Sequence, residues 1–217
     1  MMYYILFNDI NKKYYFDNIY YLNTLNINYN NVYLISITGY NLKKLPNLLK
    51  FKKLKLLYCT NNKLTELNNL PNSLIFIDCT NNNLKHLDTL PEKLLHLSCS
   101  NNKITTISNL CNSKNLLRLF CFNNKLEYLP ELPLNLIILN IYNNKIKYLP
   151  KLPLSLKELY CKRNNIISLP KNIIYCKKLY YYQSNFKKVN KLSYLLNEKI
   201  KFYYNIISIN NYNYYYL

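Results

Sequence analysis

The 217 residues suffice for one sizeable core or one continuous repeat array, and a hydrophobic share of 50% excludes an intrinsically disordered chain. The formal charge of +19 at pH 7 is nearly all lysine, with Arg118 and Arg163 the only arginines. It points to acidic partners (nucleic acid, anionic membrane or acidic protein), or else to a solvated surface whose Asn, Lys, Tyr, Ile and Leu bias reflects A/T-rich codons.

Residues 1–31 are rich in Tyr and Asn, with Ile5, Leu6, Phe7, Tyr15, Phe16, Ile19, Tyr20 and Leu22 as apolar candidates. The first apolar run is short and meets Asp9, so it does not read as a secretory signal. No apolar run approaches the ~20 residues that span a bilayer. Repeat arrays expose strand edges and apolar surface at their ends, and this segment is expected to be an N-terminal cap.

From Val32 the chain repeats. Numbering each unit from its first aliphatic residue, position 1 is Val32, Leu54, Leu74, Leu94, Leu116, Leu136, Leu156 and Leu179, at intervals of 20–23 residues. Position 4 is Leu or Ile as far as Leu159, then Tyr182. Position 6 is Ile37, Cys59, Cys79, Cys99, Cys121, Ile141 and Cys161, then Ser184. Position 9 is Asn62, Asn82, Asn102, Asn124, Asn144 and Asn164. Positions 11 and 14 are aliphatic. This is the L-x-x-L-x-L-x-x-(N/C)-x-L signature of a leucine-rich repeat, over 32–192 in about eight units. Positions 4 and 6 share one face of a short strand because side chains alternate, so each unit should add one strand to a parallel sheet. The Asn at position 9 offers two donors and an acceptor where the chain leaves the strand. It is expected to satisfy loop backbone groups as a structural ladder, not to form a site.

All eight prolines fall at two positions: Pro46, Pro130, Pro150 and Pro170 at 15, and Pro71, Pro91, Pro133 and Pro153 at 18. Prolines three residues apart are incompatible with a regular helix interior, so the return limbs of the 20-residue units should be extended. The longer limbs at 45–53 and 169–178 have room for a helical or 3₁₀ turn. The expected fold class is an α/β-type repeat protein, mostly β: a leucine-rich repeat solenoid with a curved parallel sheet and a largely extended convex side. Residues 193–217 are expected to add one strand and an aromatic tail that caps the other end or binds a partner.

The phrase LPxLPxxLxxLxxxxNxLxxLP, clearest in Leu129–Asn144 and again one period later, resembles the short repeats of bacterial effectors of the YopM and IpaH type. The two longer units look more like ordinary 23-residue repeats. The resemblance implies strands lining the concave side of a solenoid, and a concave face that binds proteins. The IpaH branch also carries a C-terminal ubiquitin-ligase domain with a nucleophilic Cys. About 25 residues follow Leu192 and none is Cys, so ligase activity is not carried over.

The cysteines read as packing residues. Five occupy position 6, Cys111 replaces the position-18 proline, and Cys176 takes an apolar place. There is no CxxC pair and no zinc-type Cys/His spacing. Ladder neighbours ~5 Å apart on parallel strands point their side chains the same way, which does not suit disulfides; free thiols fit a reducing compartment. His86 and His96 fall at different positions with no nucleophile beside them, and a chain whose one glycine is Gly39 has no phosphate loop. No catalytic residue, cofactor or metal is expected, and the chain does not read as an enzyme.

Positions 3, 5, 7 and 8 lie on the open side of the sheet. In the early units they hold Ser36, Thr38, Thr60, Asp78, Thr80, Ser98 and Ser100; later they hold Arg118, Phe120, Phe122, Tyr142, Tyr160, Lys162 and Arg163. Aromatics and Arg dominate interface hot spots. The expected function is a monomeric, non-enzymatic scaffold in the cytosol (host cytosol, if the source is a virus or intracellular parasite), binding a protein partner at those later residues. The rival is a basic protein that binds nucleic acid or an anionic surface. Against the rival, Lys63, Lys103, Lys125 and Lys145 read as spread over loops with no common groove.

Overall fold

The computed structural model describes residues 3–7, 13–16, 22 and 27–180. The tail expected at 193–217, and the repeat register past residue 180, lie outside the described residues. In chain order the strands are β1 (Tyr3–Phe7), β2 (Lys13–Phe16), β3 (Val32–Ser36), β4 (Leu56–Tyr58), β5 (Phe76–Asp78), β6 (His86–Leu87), β7 (His96–Ser98), β8 (Thr106–Ile107), β9 (Arg118–Phe120), β10 (Ile138–Asn140), β11 (Glu158–Tyr160) and β12 (Lys178–Tyr180). Ten of them form one sheet, ordered β12-β11-β10-β9-β7-β5-β4-β3-β1-β2. From β3 to β12 the pairing is parallel and each repeat supplies one strand; β1 pairs antiparallel with β3, and β2 with β1. The mostly β solenoid expected from the repeat is therefore present.

The strands are short because a unit of about 20 residues must run out, turn, and return within one strand spacing. Their register is strict: Leu57 pairs with Ile77, Ile77 with Leu97, Leu97 with Leu119, Leu119 with Leu139, and Leu139 with Leu159. These position-4 side chains are fully buried, as are Cys59, Cys79, Cys99 and Cys121 at position 6. Each fully buried Leu or Ile stabilises the fold by about 1.5–3 kcal/mol relative to exposure. The core is thus a set of aliphatic and thiol rows running perpendicular to the strands.

The return limbs follow the prolines. The carbonyls of Pro71, Pro91, Pro133 and Pro153 accept from the next position-1 N–H at 3.0–3.2 Å, which turns the chain back into the sheet. Extended limbs pair with each other at position 13, through β6 with β8 and a Tyr148–Ser168 bridge. The limb at 169–178 holds the short 3₁₀ helix Lys171–Tyr175, whereas 45–53 has only turns. A further 3₁₀ turn, Leu110–Asn112, lies where Cys111 replaces proline.

The last unit departs from the sequence register. Leu179 pairs with Leu159, and Lys178 with Glu158, so Leu179 occupies position 4 and not position 1. Position 1 is Cys176, whose N–H donates to Ile173 O at 3.0 Å in the same turn that leads Leu54, Leu74, Leu94, Leu116, Leu136 and Leu156 into the main sheet. The preceding unit, which starts at Leu156, is therefore 20 residues long and not 23. Sequence matching favoured a leucine as the starting anchor, but the turn and the sheet hydrogen bonds set the register.

Two adjacent asparagine rows organise the loops that leave the strands. At position 9, Asn102 Nδ2 donates to Cys79 O (3.1 Å), Cys99 O (3.0 Å) and Ser100 O (3.1 Å), and its Oδ1 accepts from Leu84 N (2.9 Å). Asn62, Asn82, Asn124, Asn144 and Asn164 repeat this pattern on their own and the preceding strand. At position 8 the backbone is left-handed: φ is 53–57° at Asn61, Asn81, Asn101, Asn123, Asn143 and Arg163. In the first repeat the same place is taken by Gly39, with φ 83°. Glycine and asparagine tolerate this region best, which is why the chain's one glycine sits there.

Candidate binding face

The open face of the sheet carries two rungs fixed by strand pairing. Position 3 runs Leu34, Leu56, Phe76, His96, Arg118, Ile138, Glu158, Lys178. Position 5 runs Ser36, Tyr58, Asp78, Ser98, Phe120, Asn140, Tyr160, Tyr180. These strands are parallel, so residues of one position meet directly across neighbours and residues of the two positions meet diagonally.

Four rings cross the middle of this face without a break. Tyr58 and Phe76 lie 5.1 Å apart between centroids, Phe76 and His96 4.8 Å, and His96 and Phe120 5.3 Å at an interplanar angle of 28°. Burial, and then the neighbouring Arg118 charge, hold His96 below the ordinary imidazole value, against the opposing pull of Asp78. It therefore stacks as a neutral ring at pH 7. Past the strands, Arg163 lies over the Tyr142 ring at 5.5 Å. That distance suits a cation–π contact.

At the far end the polar groups are mutually engaged. Tyr160 Oη donates to Glu158 Oε2 at 2.9 Å, and Lys178 Nζ to Glu158 Oε1 at 2.8 Å. Burial raises the Glu158 carboxyl, but hydrogen bonds from Lys178 and Tyr160 outweigh it and the net shift is downward. In the early repeats small hydroxyl side chains pair with one another: Thr60 Oγ1 donates to Thr38 Oγ1 at 3.2 Å, and the Thr80 and Ser98 hydroxyls meet at 3.0 Å. Ser100 Oγ is buried with no hydrogen-bond partner among the described residues.

The residues singled out from sequence thus separate into three places. Arg118 and Phe120 lie together in β9, and Phe120 continues the ring run. Phe122, Tyr142, Lys162 and Arg163 follow their strands at positions 7 and 8, with Lys162 and Arg163 exposed. Tyr160 is separated from Phe120 along its rung by Asn140. Sequence reading missed Tyr58, Phe76 and His96. They occupy positions 5, 3 and 3 of the early units, where small and polar residues predominate, and strand pairing is what brings them together.

No protein-family model and no curated protein matches the chain in sequence. Solved structures do. YopM from Yersinia pestis, described as a leucine-rich effector protein, is 32% identical over 69% of this chain and 48% of its own, with a TM-score of 0.58. The chain is a leucine-rich repeat protein. YopM from Yersinia enterocolitica is 31% identical over 72% of this chain and 39% of its own, with a TM-score of 0.52. This leucine-rich repeat chain thus spans less than half the length of either YopM structure. The leucine-rich repeat domain of a Shigella effector, 24% identical over 79% and 77% of the two chains with a TM-score of 0.62, shares the fold.

Among the described residues no group of three or more His, Cys, Asp or Glu side chains could hold a metal, and no helix is long and apolar enough to cross a membrane.

Proposed function

We propose that this chain is a non-enzymatic, cytosolic interaction scaffold that binds a protein partner on the open sheet face, the side expected to be concave. The observation that carries this reading is the ring run Tyr58–Phe76–His96–Phe120, with Phe122 and the Tyr142–Arg163 pair following their strands at positions 7 and 8. Rings held by neighbouring strands lose little rotamer freedom on binding, which is what a hot spot needs. The similarity to YopM and to the Shigella domain, both effectors by description, supports an interaction role.

The test is Phe120→Ala/Phe122→Ala/Arg163→Ala against the parent chain in affinity purification followed by mass spectrometry. A partner captured by the parent should be lost or weakened at least tenfold, with the melting transition still cooperative. Undiminished capture by a folded variant would show that the partner sits elsewhere.

A further inference from the structure

The lysines that read as scattered in the sequence stand in one row. Lys103, Lys125 and Lys145 occupy position 10 of three consecutive repeats. Each donates its backbone N–H to the position-11 carbonyl of the preceding repeat: Lys103 to Leu84 (3.0 Å), Lys125 to Ile104 (2.9 Å) and Lys145 to Leu126 (2.8 Å). The repeated geometry sends all three exposed side chains off the same rim, one strand spacing of about 4.8 Å apart. Lys63 holds the same place two repeats earlier, with Asn83 between it and the row.

The adjoining rail at position 8 leads back to the open face. Asn123 Nδ2 donates to Asn101 Oδ1 at 2.6 Å and Asn143 Nδ2 to Asn123 Oδ1 at 2.9 Å, and the next member of that rail is Arg163. Among the described residues the ion pairs are Lys44–Glu66 and Lys178–Glu158, neither of which touches this row. A line of like charges at strand spacing is unfavourable on its own. It becomes favourable when an anion lies along it.

We propose that this rim and the ring run together seat an acidic protein segment, with carboxylates along Lys103, Lys125, Lys145 and Arg163 and an apolar side chain against Phe120 and Phe122. The inference rests on the sheet-face reading above and names its partner class. The ring geometry favours peptide over single-stranded nucleic acid. Base stacking needs free ring faces. Here Phe120 is stacked on His96, Phe76 meets both Tyr58 and His96, and Tyr142 lies under Arg163. The faces of His96 and Phe120 that meet in the stacked pair and the Tyr142 face under Arg163 are taken, whereas ring edges, which carry positive potential, suit carboxylates.

Fluorescence anisotropy on the full chain tests this with three labelled probes: a 15-residue Glu-rich peptide carrying two Phe, the same peptide with Gln for Glu, and an oligouridylate of equal charge. The Glu/Phe peptide should bind at least tenfold tighter than its Gln counterpart at 50 mM salt. The advantage should vanish in K103Q/K125Q/K145Q and survive in K103R/K125R/K145R. Equal binding of the two peptides, or an unchanged advantage in the Gln variant, overturns the proposal. So does tighter binding of the oligouridylate, which would assign the rim to nucleic acid. The sheet-face reading is read separately: F120A/F122A should weaken the Gln/Phe peptide, and if it does not, that reading fails whatever the charge comparison shows.

Discussion

Asn101 and Asn102 are neighbours in sequence, but Asn101 is placed by its backbone and Asn102 by its amide. Replacing Asn102 with Ala leaves the carbonyls of Cys79, Cys99 and Ser100 and the N–H of Leu84 without this partner. Each such buried group costs about 1–3 kcal/mol when unpaired, partly relieved by water at the loop. Asn102→Ala should therefore lose about 3 kcal/mol in urea unfolding, whereas Asn101→Gly, which keeps the left-handed backbone and gives up only the hydrogen bond from Asn123, should lose about 1 kcal/mol. Arg163 is the one member of the left-handed row that is neither Asn nor Gly. A long side chain there costs on the order of 1 kcal/mol. Arg163→Asn should accordingly raise stability by that amount while weakening the partner; a variant that gains stability and keeps full binding would remove Arg163 from the site. Ser100 follows the opposite logic. Its buried hydroxyl has no partner, so Ser100→Ala should unfold no more easily than the parent.

At the scale of the element, the position-6 thiols form one internal row, and its chemistry follows from burial. Burial pushes up the thiols of Cys59, Cys79 and Cys161, and Cys99 is raised by its hydrogen bond to Cys121 and by burial. Cys176, half-buried, is pushed up to about 11 by burial. Cys111 is exposed. A thiol reagent at pH 8 should therefore label Cys111 first and the row only on unfolding. Folded-state values raised above the unfolded ones mean that the native chain holds protons which the unfolded chain releases above about pH 8.5. The stability these thiols contribute is complete below that pH and declines as pH rises, by up to about 1.4 kcal/mol per buried thiol per unit. The urea midpoint should be flat between about pH 7.5 and 8 and fall above about 9, less steeply in Cys59→Ala/Cys79→Ala; equal slopes above 9 would remove the thiols as the cause, and a separate fall below about pH 6.5 belongs to His96, which the fold holds neutral. This row was legible in the sequence because one residue type recurred at a fixed place. The ring run was not, because Tyr58, Phe76, His96 and Phe120 sit at positions 5, 3, 3 and 5 and become continuous only when strand pairing sets Phe76 beside His96 and brings Tyr58 and Phe120 in diagonally. The final register was missed for a related reason: Cys176 and Leu179 both suit position 1 by hydrophobicity, and the choice is made by the turn at Ile173.

For the whole molecule the relevant quantity is the charge of +19, which sequence alone left open between composition and function. At 0.15 M salt the screening length is about 8 Å, so lysines in different parts of the array do not act on one another. The row Lys103–Lys125–Lys145 is different, because its members stand within one screening length. Two like charges about 5 Å apart in water repel by on the order of 0.8 kcal/mol, less where the side chains splay. The row therefore costs the isolated chain about 1 kcal/mol at low salt. K103Q/K125Q/K145Q should be more stable than the parent by about that amount at 10 mM salt and indistinguishable from it at 0.5 M, measured by urea unfolding at both. Removing three exposed lysines that have no lysine at the same place in the flanking repeats, such as Lys63, Lys85 and Lys114, should give a smaller gain. If the two triple variants gained equally, the row would be ordinary surface charge. A selective gain that came with loss of the acidic peptide would show that the rim gives up stability in the free chain and regains it when the partner binds.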